Sequence, residues 1–246
     1  MEYRRLVAAR AARVPLQHLT GLAWFRRLEL RVGPGVFVPR PETELLVEWG
    51  LAGLSSADGP AGPRVVVDLC SGSGAVALAV ADERPDVVVY AVEADPGAAR
   101  WLERNIATYR CGHDVRAVLA DATRAETLAE LDGTVDLVLC NPPYVPDGTA
   151  VEREVAEHDP AVAVFGGPDG LDVIRGIIVR AAGLLAPGGR LGIEHDETRG
   201  AAVAALLRAD DRYHTVDTSP DLADRPRFST AVRRGVPEGS LADWHT

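Results

Sequence analysis

Asn141-Pro142-Pro143-Tyr144 directly follows the apolar run VDLVLC and combines residue types suited to holding a planar –NH2 group. Two prolines fix two φ angles and remove two N–H donors, so the carbonyls of this turn are rigid acceptors. Asn141 adds a side-chain carbonyl, and Tyr144 adds a planar face and a hydroxyl. An amide or aryl nitrogen has a delocalised lone pair and is a poor nucleophile. Acceptors that favour a pyramidal nitrogen free that pair for in-line attack on a methyl group, through orientation and charge stabilisation without a strong base. The plainer alternative is a Pro-Pro turn that closes a strand. Against it, Asn141 is one of only two asparagines in the chain, the other being Asn105.

A second chemical feature lies upstream. Asp68-Leu69-Cys70-Ser71-Gly72-Ser73-Gly74 joins the apolar run RVVVDL to a helical pattern. Glycines allow a sharp turn and close approach of a ligand, and the helix start offers free N–H groups. Glu93 ends the next apolar run, about twenty residues on, where an acid can accept both hydroxyls of a ribose. Gly72-x-Gly74-x-x-Ala77 also fits a dinucleotide fingerprint, so a nicotinamide oxidoreductase stays open at this point. Asp68 weighs against it: its charge is unhelpful beside a pyrophosphate but suits a cation such as the sulfonium of S-adenosylmethionine. Asp121 follows the third apolar run, placed so that it or the adjacent backbone can bond an adenine amino group, with a solvated loop acid as the alternative.

These features need a scaffold that brings strand ends together. Short apolar runs at 64–69, 87–92, 115–119, 135–140 and 190–194 read as buried parallel strands, alternating with helices at 73–81, 96–109, 171–185 and 201–209. Residues 213–218 and 227–233 supply two final strands. The pattern predicts an α/β fold with an open parallel sheet covered by helices, whose ligands bind beyond the carboxyl ends of the strands. Before it, residues 2–13 read as a short helix stopped by Pro15, 22–32 as a hairpin, and 42–49 as a helix with Pro41 at its start. Residues 53–63 read as a turn-rich linker.

Composition narrows the function classes. The net charge is −10 over 246 residues, and every basic residue is Arg. That argues against gripping long nucleic acid by phosphate neutralisation. No stretch approaches the roughly 18 apolar residues of a membrane span, and the N-terminus lacks a secretory apolar core. The three cysteines are scattered, so neither a disulfide framework nor a zinc knuckle is expected. Glu152, Glu154, Glu157 and His158 read as a solvated face, and no metal site is expected. A cytoplasmic protein is the expectation.

The segments PLQHLTG (15–21), VPRPETELLVE (38–48), VDLCSGSGAVALA (67–79), NPPYVP (141–146), FGGPDGLDV (165–173), LLAPGGRLGIE (184–194) and DLADRPR (221–227) together resemble the protein-(glutamine-N5) methyltransferases that modify the Gly-Gly-Gln motif of class-1 peptide chain release factors. NPPY alone is shared with enzymes that methylate base amines; its combination with RPETE and GGPDGLD is far more specific.

The resemblance implies a seven-stranded Rossmann-like class I S-adenosylmethionine-dependent sheet with one antiparallel strand near its end, a short N-terminal helix and a β-hairpin. It implies that the turn 70–74 wraps the methionine part of S-adenosyl-L-methionine, that Glu93 binds the ribose, and that Asp121 and Ala122 lie beside the adenine. Asn141, Pro142, Pro143 and Tyr144 would hold the glutamine amide, with Asn141 also near the cofactor, and Arg40 and Glu42 would position that loop. The usual Gly-Thr of the glycine turn is Cys70-Ser71 here, with Gly72 and Gly74 retained. Residues 1–54 are expected to be a truncated N-terminal part, 64–234 the catalytic domain and 235–246 a flexible tail. The expected partner is a protein with an exposed glutamine, such as a class-1 release factor, without membrane or direct nucleic-acid binding. A base amine (adenine N6 or guanine N2) is the alternative acceptor, and a cofactor-binding module without turnover is a further rival.

Overall fold

The computed structural model describes residues 2–54 and 63–235. The chain opens with α1 (Glu2–Ala11), α2 (Leu16–Thr20), the hairpin strands β1 (Leu22–Phe25) and β2 (Leu28–Arg31), and α3 (Thr43–Gly53). An alternating stretch follows: β3 (Arg64–Leu69), α4 (Ala75–Glu83), β4 (Val87–Glu93), α5 (Pro96–Thr108), β5 (Val115–Leu119) and β6 (Val135–Cys140). Two short helices, α6 (Arg153–His158) and α7 (Ala161–Val164), precede α8 (Asp172–Leu184), β7 (Leu185–Glu194), α9 (Gly200–Ala209), β8 (Tyr213–Pro220) and β9 (Pro226–Arg233).

Seven strands form one sheet in the order β5-β4-β3-β6-β7-β9-β8. β9 runs antiparallel to both of its neighbours, and the remaining pairings are parallel. The apolar strand runs follow from burial on both faces. Val66, Leu137 and Leu139 pack toward α3, α4 and the hairpin, with Leu46, Leu78 and Phe25 among their partners. Val67, Leu69, Val138 and Cys140 pack toward α8 and α9, against Ile174, Ile177 and Val203. The expected α/β sheet, its antiparallel strand, the N-terminal helix and the hairpin are all present.

Several boundaries differ from the sequence reading. α4 starts at Ala75 rather than at residue 73, because Gly74 has φ 86 and is still in the turn. β7 begins at Leu185, which pairs with Val135, so Pro187-Gly188-Gly189 lies in an irregular stretch of the strand rather than before it. α6 falls where residues 152–158 read as a solvated loop or helix face, and α7 was not anticipated. The expected linker falls largely on residues 55–62 and the expected tail almost wholly on 236–246, both outside the described residues.

Candidate active site

Strand register brings the site together. Leu69 is level with both Val92 and Cys140, Cys140 with Ile193, and Glu93 with Leu119. The residues that follow therefore emerge along one edge of the sheet: the glycine turn after β3, Glu93 on β4, Asp121 after β5, Asn141 after β6 and Glu194 on β7. Strand order reverses between β3 and β6, the switch point where open α/β sheets form a crevice. A cavity of about 500 Å³ lies there, lined by the turn 70–73, Glu93, Asp121 and the loop 141–145, among others.

The glycine turn is held by backbone and carboxylate together. Ser71 N–H donates to the Val92 carbonyl at 2.9 Å, and Gly74 N–H to the Ser71 carbonyl at 2.8 Å. Glu93 accepts the Gly72 N–H with Oε2 and the Asp95 N–H with Oε1, each at 2.8 Å. Burial pushes the Glu93 carboxyl above its ordinary value, opposed by these backbone hydrogen bonds. Gly72 has φ 56, and a Cβ built there would meet no atom within 4 Å, so the turn is open on the side a ligand would fill. Asp68 is 1% exposed, and its Oδ2 accepts the Ala77 N–H at 3.1 Å. Burial raises its carboxyl to about 7, against hydrogen bonds from Ser71 and Ala77.

Asn105, the second asparagine, ties this turn to the hairpin. Its Nδ2 donates to the Ser73 carbonyl at 2.8 Å and the Arg31 carbonyl at 3.0 Å, while its Oδ1 accepts the Arg31 N–H at 2.8 Å. Sequence reasoning gave it no role, although its rarity was a usable signal.

The loop 141–146 is clamped from outside. Val145 N–H donates to the Val164 carbonyl at 3.0 Å, and Gly166 N–H to the Val145 carbonyl at 2.9 Å. A Cβ at Gly166 would lie 2.5 Å from the Pro143 oxygen, and one at Gly170 would lie 2.3 Å from the Tyr144 oxygen. The segment 165–170 therefore needs its glycines so that it can lie backbone to backbone on this loop. Pro142 and Pro143 are buried. Tyr144 is half-buried against the second core, and burial raises its hydroxyl pKa.

Asn141 Nδ2 donates to Thr43 Oγ1 at 3.1 Å. Thr43 is the first residue of α3 and is buried, whereas Glu42 just before it is exposed. Thr43, one residue after Glu42, makes this contact from the inward-facing position of the helix start. Arg40 reaches elsewhere. It lines the cavity, stacks over the Phe37 ring at 4.8 Å and pairs with Asp159 at 3.2 Å. Asp159 lies between α6 and α7, whose residues Val155, Val162 and Val164 also line the cavity. Glu154 on α6 pairs with Arg10 of α1 at 2.6 Å, and Glu157 with Arg153 at 2.7 Å, so these acids are occupied by arginines.

Asp121 is exposed, and its Oδ1 accepts the Thr123 N–H at 2.9 Å and the Thr123 hydroxyl at 2.6 Å. These bonds hold its carboxyl below the ordinary value. Ala122 beside it is buried and also lines the cavity. Thus Asp68, the turn 70–73, Glu93, Asp121, Ala122, Asn141–Tyr144 and Arg40 share one cavity, while Gly74 and Glu42 do not line it.

A release factor glutamine methyltransferase of Mycolicibacterium smegmatis is 50% identical over 231 residues, which cover 94% of this chain and 79% of that protein. The chain belongs to the release factor glutamine methyltransferase family. The Methyltransferase small domain model matches residues 51–159, from the end of α3 through α6. A 4-amino-L-phenylalanine/4-methylamino-L-phenylalanine methyltransferase of Streptomyces pristinaespiralis is 41% identical over 230 residues, covering 92% of this chain and 76% of that one. Among solved structures, a methyltransferase from Pyrococcus furiosus has the same fold, with a TM-score of 0.63 and 20% identity over 93% of this chain and all of that one. This member of the release factor glutamine methyltransferase family holds Cys70 at φ 64, a left-handed conformation that glycine adopts without strain.

Proposed function

We propose that this chain transfers the methyl group of S-adenosyl-L-methionine to the side-chain amide nitrogen of a protein glutamine, within a Gly-Gly-Gln motif of a class-1 peptide chain release factor. The observation that carries it is the Asn141–Tyr144 loop, clamped by 164–170 and facing the same cavity as the glycine turn and Glu93. Identity of 50% to a named release factor glutamine methyltransferase supports the same acceptor. The protein would work in the cytoplasm. Among the described residues no helix is long and apolar enough to cross a membrane.

The residues present fit the cofactor. Gly72 leaves its face of the turn open, and Glu93 offers a carboxylate beside it. Buried Asp68 would supply negative charge there when ionised, with no counter-cation among its described partners. When bound, S-adenosylmethionine would supply an electrophilic methyl on its sulfonium. The protein's part is orientation. Asn141 Oδ1 and the Pro142 carbonyl would accept the two amide hydrogens of the glutamine, and Tyr144 would pack against the amide plane. These acceptors would stabilise the positive charge that develops on the glutamine nitrogen as it takes the methyl group from the sulfonium, which would leave as the neutral thioether. The nitrogen then releases one proton to solvent, leaving a neutral N-methyl amide.

A second acceptor class, a free aromatic amine, is favoured by one observation: the relative whose name specifies 4-amino-L-phenylalanine is 41% identical. Both acceptors present a planar –NH2 with a delocalised lone pair. Offering the enzyme a release factor and 4-aminophenylalanine in one reaction separates them. Methyl transfer confined to the factor supports the proposal, and transfer confined to the free amine overturns it.

A further inference from the structure

Glu194 is a buried acid at the same edge of the sheet as Asn141. It ends β7 and is 1% exposed. The β6–β7 register, Cys140 opposite Ile193, brings it level with Asn141. Thr43 and Asn141 lie beside it and favour its ionised form, and its Oε2 has no hydrogen-bond partner. A buried carboxyl with an unsatisfied oxygen costs stability and calls for a role.

Proton counting gives that role. The Thr43 hydroxyl has one hydrogen and two lone pairs. When it gives its hydrogen to the Glu194 carboxylate, it has only lone pairs left for Asn141. Asn141 must then turn its –NH2 to Thr43, as observed at 3.1 Å, and its Oδ1 faces away from Thr43. A protonated Glu194 can itself donate to Thr43. The hydroxyl hydrogen is then free to bond Asn141 Oδ1, and the flipped amide would offer N–H groups to an acceptor that needs a carbonyl.

We propose that Glu194 is a positioning residue for methyl transfer, which sets the orientation of the Asn141 side-chain amide through the Thr43 hydroxyl. Its importance for catalysis rests on the proposed amide acceptor; the coupling itself does not. Other charged or titratable groups face Glu194. They are Glu42 before α3, Arg227 on β9, and Cys140 and Tyr144 on β6 and its loop, with His195 and Asp196 adjacent in sequence. Burial is the largest influence and raises the Glu194 carboxyl to about 7, with Thr43, Arg227 and Asn141 opposing it.

Two independent measurements test this. The chain has only Asn105, Asn141 and Gln17 as carboxamides, so nitrogen-15 spectra contain three side-chain –NH2 pairs, with Asn141 assigned from Asn141→Ala. In the wild type the Asn141 pair should move with a midpoint near 7, the value to which Glu194 is raised. In Glu194→Gln that titration should vanish, and in Thr43→Val it should be smaller than in the wild type. A pair that is static from about pH 5 to pH 9 in the wild type, or that titrates identically in Glu194→Gln, would overturn the proposal. In turnover, kcat should fall as the pH drops through the same midpoint. Glu194→Gln should remove that limb with cofactor affinity unchanged, and Glu194→Ala should lower kcat about tenfold, the worth of one such hydrogen bond. If the wild type leaves the release factor unmethylated, the acceptor assignment fails alone and the spectra still decide the coupling.

Discussion

Glu93 spans the two loops that enclose the cavity on one side: its Oε2 accepts the Gly72 N–H and its Oε1 the Asp95 N–H, both at 2.8 Å. One carboxylate therefore shapes the glycine turn and fixes the entry to α5, while lining the cavity. Glu93→Ala should weaken S-adenosylmethionine binding roughly ten- to hundredfold, the range for losing hydrogen bonds to a charged group. Glu93→Gln, which keeps one acceptor, should fall between. Calorimetric dissociation constants check this, and unchanged binding in Glu93→Ala would remove the residue from the cofactor site.

Asn141 should separate chemistry from cofactor affinity. Asn141→Ala is expected to lower kcat by at least about a hundredfold, as loss of one preorganised polar group at a reacting centre does. The cofactor dissociation constant should stay within about twofold, because the side chain faces the acceptor. Parallel loss of both would make Asn141 structural or cofactor-binding.

The fold and the core of this site are legible in the sequence for physical reasons. Strands such as 64–69 and 135–140 are buried on both faces and so are continuously apolar, and the residues after them emerge at one edge by register. Thr43 and Glu194 were not legible as partners of Asn141. Thr43 lies ninety-eight positions away, and only the packing of α3 on β6 and β7 brings it in. Glu194 looked like a strand-ending acid, and nothing in its spacing revealed 1% exposure. The cover α6–α7 was not legible as two helices because helices of six and four residues are too short to display a period.

Asp68 should show opposite effects on stability and binding. Its carboxyl is raised from 3.8 to about 7 by burial. Between those values the folded protein keeps a proton that the unfolded chain has released, so stability falls as the pH rises through this window, by about 1.4 kcal/mol per pKa unit. Asp68→Asn keeps an acceptor for Ala77 and abolishes the ionisation. Thermal unfolding should find the variant more stable than the wild type at pH 8, with the difference disappearing near pH 4. Calorimetry should find weaker cofactor binding. A variant less stable at both pH values would contradict this.

The cover over the cavity hangs on a buried acid. Asp159 has 2% of its side chain exposed, is bonded by Arg40 and retains an unpartnered Oδ1. Removing Arg40 alone leaves a carboxylate without its cation. Arg40→Ala should increase proteolytic cleavage between 150 and 164 and raise KM for the acceptor. Adding Asp159→Asn should restore much of the protection. An Arg40→Ala protein as resistant as the wild type would show that the pair does not secure this segment.

The central claim, transfer of a methyl group to a glutamine amide held by the Asn141–Tyr144 loop, is tested most directly with methyl-labelled S-adenosylmethionine. The acceptors are an unmethylated class-1 release factor and its Gly-Gly-Gln variant with Gln→Ala. Label is expected on the wild-type factor, localised to that glutamine, and none on the variant. Equal labelling of both, or no labelling of either by protein that still binds the cofactor, would contradict it.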